Sequence, residues 1–131
     1  MRKTFAIEQG TTRVTLLIGP LALKFGRGRS GRECNLREWQ RWKAASPKRR
    51  DMLCPTWAVL LWGAIAIQPR AAPMSEAEAQ HRRDNSGFPE WDYEPGESHG
   101  DPTESKASDW GYLPGRPNPV ALDYGPPDTE C

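Results

Sequence analysis

The sequence predicts an α+β fold: an antiparallel sheet carrying one long helix, followed by a second and more irregular half. Three observations carry that expectation. Short β-rich runs alternate in polarity on either side of Gly19 and Pro20. Leu36, Trp39 and Trp42 then recur at helical spacing. From residue 84 onward the composition shifts to Gly, Pro, Ser and acids, which suits irregular backbone.

The elements follow in chain order. Residues 12–18 and 21–25 form a predicted hairpin, closed by Gly19 and Pro20. On the second strand Leu21, Leu23 and Phe25 share one face and Ala22 shares the other with Lys24, the strand's one charged residue. Taken alone, that pattern reads as a solvent-facing lysine. Residues 26–32 read as a solvated Gly/Arg loop that also has the composition to hold phosphates. A helix is predicted from 35 to about 45, with Asn35 as N-cap. Glu38 then has two readings, capping-box partner of Asn35 or helix carboxylate paired with Lys24. Residues 56–62 and 64–68 read as two buried strands. Pro69 and Pro73 stiffen a connector, and Ser75 with Glu78 opens a short helix to about residue 83. Asp109 begins a strand, 113–117 make a turn, and 119–122 return.

Length and charge bound the function classes. At 131 residues the chain is one domain, or one small core with a loose tail. Residues 1–50 hold 13 lysines and arginines against three acids, a net +10, whereas residues 51–131 carry a net −9. Halves of opposite sign attract, and a site between them has charge on both walls. The acidic half argues against a nucleic-acid-binding module built on residues 24–50. Three cysteines and two histidines show no close ligand spacing, which argues against structural zinc. The longest apolar run, 57–67, is shorter than the ~20 residues a membrane helix needs. With no signal-peptide pattern at the N-terminus, a cytoplasmic protein is expected.

The residues with chemistry to offer lie at element ends. Val120, Ala121 and Leu122 form an apolar run that ends in Asp123, Tyr124 and Gly125. The glycine frees the turn, and a carboxylate at a strand end is a natural ligand for a hard cation such as magnesium. Asp109 lies fourteen residues upstream, at the start of the same predicted hairpin.

The ordered set resembles the protein-kinase-like fold, including small-molecule kinases of the aminoglycoside-phosphotransferase type. Its parts are an Ala-x-Lys strand, the Glu38 helix, two strands, a proline-bearing connector, the Asp109 hairpin and Asp123-Tyr124-Gly125. The resemblance implies a kinase-like N-lobe over residues 1–68 and a strongly reduced C-lobe over 69–131. It implies that Lys24, paired with Glu38, binds the phosphates of ATP and that Asp109 and Asp123 hold Mg2+. It further implies that Ala22 lines the adenine pocket and that the connector from Gln68 reaches the adenine edge. Asp101 and Glu104 both qualify as the catalytic base. The pattern departs from the family in lacking a G-x-G-x-x-G loop and in having Asp109 where the family has asparagine. Two functions follow as expectations: a minimal MgATP-dependent phosphotransferase acting on a hydroxyl acceptor, or a degenerate, pseudokinase-type module. The second would meet a protein partner through the acidic aromatic stretch 88–97.

Overall fold

The computed structural model describes residues 5–10, 12–85, 87–89 and 106–124. Strands β1 (Phe5–Gln9), β2 (Arg13–Ile18) and β3 (Leu21–Gly26) form an antiparallel meander. After the helices α1 (Gly28–Ala44) and α2 (Pro47–Arg50), β4 (Ala58–Leu60) and β5 (Ile65–Pro69) complete one five-stranded sheet in the order β1-β2-β3-β5-β4. The connector continues into β6 (Ala72–Pro73) and α3 (Glu76–Asp84). A second sheet then forms from β6, β7 (Trp110–Tyr112) and β8 (Val120–Ala121). The α+β class and the hairpin of β2 with β3 agree with the sequence reading. So does Ser75 as the cap of α3, where its hydroxyl accepts from the Glu78 amide at 3.0 Å.

Helix α1 departs most from expectation. It starts at Gly28, seven residues before the predicted cap, so most of the Gly/Arg loop is helical. Glycine is what permits this. A Cβ on Gly31 would sit 2.3 Å from the Thr12 carbonyl oxygen and 2.7 Å from the Gly26 Cα, so the helix start lies directly on the end of the hairpin. Asn35 is therefore in the helix interior, and Glu38 has no capping role. The buried face of α1 is Gly31, Cys34, Asn35 and Glu38, at the i, i+3, i+4, i+7 spacing of one helix side. The Leu36, Trp39 and Trp42 stripe flanks that face and is only half-buried.

The five-stranded sheet has two unlike faces. Cross-strand partners share a face, and the register puts Thr15, Lys24, Ala66 and Val59 in one row on the side that α1 covers. On the other side Ile7, Leu16, Leu23, Ile67 and Ala58 make a row across all five strands. The turn between β4 and β5 is not the pair of buried strand ends that was expected. Leu61 and Trp62 take left-handed φ of 53° and 55°, and both side chains are exposed.

The second sheet sits on the main apolar cluster, in which Met52, Leu53, Met74, Ala79, Trp110, Ala121 and Tyr124 are buried. Phe88 packs against Trp110 with ring centroids 5.3 Å apart and the ring planes tilted by 49°. Residues 52–54 run beside β8: the Ala121 amide donates to Met52 and the Cys54 amide to Ala121, each at 2.8 Å. The Cys54 thiol points the other way, toward the Pro69 carbonyl at the end of β5. Among the described residues no helix is long and apolar enough to cross a membrane.

Candidate functional site

A cleft of about 790 Å³ opens between the two sheets. Its walls include Ala22 and Lys24 of β3, the connector from Gln68 to Met74, and Asp109, Leu122 and Asp123 from the hairpin of β7 and β8. Five of the eight residues singled out in the sequence therefore converge on one cavity. Glu38 lies directly behind it, fully buried on α1. Asp101 and Glu104, the two catalytic-base candidates, lie outside the described residues, as does most of the stretch 88–97.

Lys24 overturns its solvent-facing reading. The strand alternation was right, but α1 and the cleft cover the face that Ala22 and Lys24 share, leaving Lys24 4% exposed. A buried ammonium needs partners, and Lys24 Nζ has three: Glu38 Oε1 at 3.1 Å, Asp123 Oδ1 at 3.1 Å and the Leu122 carbonyl oxygen. These match the three N–H donors that an ammonium carries.

Arg13, which the sequence reading passed over, is the second cation of the site. Its guanidinium grips Glu38 with both ends, Nη1 to Oε1 at 2.7 Å and Nη2 to Oε2 at 2.9 Å. Nη2 also donates to Asp123 Oδ1 at 2.6 Å, and Nη1 to Asn35 Oδ1 at 3.1 Å. Two cations thus face two carboxylates, and the local charge is balanced within the chain. A signal for Arg13 was available: in the hairpin register Thr15 pairs with Lys24, so Arg13, two residues earlier, lies on the Lys24 face.

The rest of the network fixes these groups. Asn35 donates from Nδ2 to the Lys24 and Gly63 carbonyls at 3.0 and 2.8 Å, tying α1 to the sheet. Glu38 Oε2 accepts the Tyr124 amide at 3.0 Å, which holds the chain after Asp123 against the helix. The Tyr124 hydroxyl lies 2.6 Å from both Thr56 Oγ1 and the Cys54 carbonyl, and burial pushes its pKa above the usual phenol value. Gln68 lines the cleft, but its amide donates to Thr56 at 3.0 Å. Burial pushes the Asp123 carboxyl up, while Lys24 and Arg13 outweigh it and hold its pKa down at about 2. The Asp109 carboxyl, on the same cleft wall as Asp123, lies 3.7 Å from Lys106 Nζ.

The chain matches no protein-family model, no curated protein and no solved structure. What the site does must be read from its own chemistry. Asp109 and Asp123 give two adjacent carboxyls at the cleft wall. Among the described residues no cluster of three or more His, Cys, Asp or Glu stands ready to hold a metal. Two carboxylates fit magnesium, which keeps several waters and takes its remaining ligands from substrate phosphates.

Proposed function

We propose that the cleft is the nucleotide site of a minimal kinase-like protein, with residues 1–68 serving as its N-lobe and 69–131 as a reduced C-lobe. One observation carries the reading: Lys24 on a sheet strand is held by Glu38 of the following helix and reaches Asp123 across the cleft. In this reading Lys24 takes up phosphate charge. Ala22 and the connector from Gln68 border the base, and Asp109 with Asp123 would hold Mg2+. The metal would offset the phosphate charge, and the chain's own part is to position the groups. Phosphoryl transfer to a hydroxyl acceptor would further require Asp101 or Glu104 to orient that hydroxyl.

Arg13 favours a second reading, a degenerate relative acting through a protein partner by way of the 88–97 stretch. With every Lys24 donor occupied and Asp123 already facing a guanidinium, phosphate can reach Lys24 only after the network opens. Calorimetric titration with ATP, with and without Mg2+, separates the two. The nucleotide reading expects binding by the wild type, loss in Lys24→Ala, and loss of the Mg2+ dependence in Asp123→Asn. Labelled-phosphate transfer then tests catalysis. No binding by folded wild type or by Arg13→Met, in which the competing cation is gone, sinks the nucleotide reading and leaves the degenerate one.

A further inference from the structure

We propose that the uncovered face of the five-stranded sheet is a homodimer interface, in which two copies pack face to face as a β-sandwich. The cross-strand register lays three rows on this face. The central row is Ile7, Leu16, Leu23, Ile67 and Ala58. Counting the flanking rows, thirteen of fourteen positions are apolar, and Gln9 is the exception. None of the fourteen is buried, and Phe5, Ile7, Ile18 and Leu60 are 44–58% exposed. Most antiparallel sheets that face water on one side alternate apolar and polar residues. Here the side carrying Arg13, Thr15 and Lys24 is the polar one and is covered, while the apolar side is open.

Size and chemistry both point to a second copy. Three rows on five strands span about 20 Å by 24 Å, a flat projection of about 480 Å². Two such faces bring about 960 Å² together before side-chain relief is counted, and a specific interface needs about 1,000 Å² in total. Antiparallel sheets pack this way at a spacing of about 10 Å, in roughly aligned directions. The face has no charged residue with which to recognise a polar partner or draw it to anionic headgroups. The longest segment of this chain outside the described residues, 90–105, does not match it either, because it carries six acids.

Sedimentation equilibrium tests the proposal on the full chain. The expected wild-type mass is twice the 14.7 kDa of one chain. Leu23→Lys, at the centre of the face, should raise the dimer dissociation constant ~30-fold or more, as losing an interface hot spot does. Phe5→Glu, on the exposed edge strand, guards against a folding failure at the centre and should weaken the dimer in the same direction, with circular dichroism unchanged. Three results would overturn the proposal. One is a wild-type monomer at all concentrations, and another is a dimer indifferent to both variants. The third is a monomer that binds neutral phosphatidylcholine vesicles through this face.

Discussion

Asp123 shows how much a single carboxyl in this molecule depends on its neighbours. It is one-third exposed, yet Lys24 and Arg13 both touch its Oδ1. Because its pKa falls from 3.8 to about 2 on folding, the folded chain binds this proton less readily than the unfolded one. The resulting stabilisation is complete above about pH 3.8 and is lost as pH falls toward 2. Urea denaturation between pH 5 and 2 should therefore show a steeper loss of stability in the wild type than in Asp123→Asn. Equal slopes would mean that the carboxylate is not held by the two cations. At this scale the sequence was partly legible. Asp123 stood out by its strand-end placement, whereas Lys24, which alone reads as solvent-facing, and Asp109 stood out only through the ordered resemblance. Arg13 was missed because an arginine at a strand start looks ordinary until the register reveals which face it shares.

At the scale of elements, α1 was predicted in kind and misplaced in extent. Periodicity detects a helix by its apolar stripe, but this helix buries Asn35 and Glu38 and leaves the aromatic stripe at its flanks. Its first turn has no side-chain cap and no acid, so no sequence signal marked the start. The close approach through Gly31 does mark it, in three dimensions. Replacing Gly31 with alanine forces the Thr12 carbonyl and the Gly26 backbone apart, and should cost about 1–3 kcal/mol in chemical denaturation. Gly115 provides the comparison: nothing lies within 4 Å of a Cβ there, so alanine meets only the cost of its φ of +75°. A Gly31→Ala variant as stable as wild type would show that the helix start does not rest on the hairpin.

Across the whole molecule, the five-stranded sheet, α1 and the second sheet meet at one charged knot. Glu38 binds Arg13 and Lys24 from one sheet and the Tyr124 amide from the end of the other. Glu38 and both cations lie in the basic half of the chain and only Asp123 comes from the acidic half, so the net charges of the halves gave little notice of this meeting. Nor could they give the pairing, since that depends on which faces α1 and the β8 hairpin cover. The same limit hid the open apolar face of the sheet. Alternation tells which residues lie together, whereas covering is decided by elements distant in sequence.

Cys54 turns this architecture into a clock. Its backbone is bonded to β8 and its thiol faces the end of β5, so it sits at the seam between the sheets. It is fully buried, and burial pushes its pKa up to about 12, which leaves little thiolate at neutral pH. An alkylating reagent can modify it only during moments when the seam parts. The rate of modification at Cys54, read by peptide mass spectrometry, should then rise with denaturant in step with the open population. A rate in native buffer equal to that of a free thiol would show that the seam does not close. Slow labelling would time how often the strand that delivers Asp123 lets go.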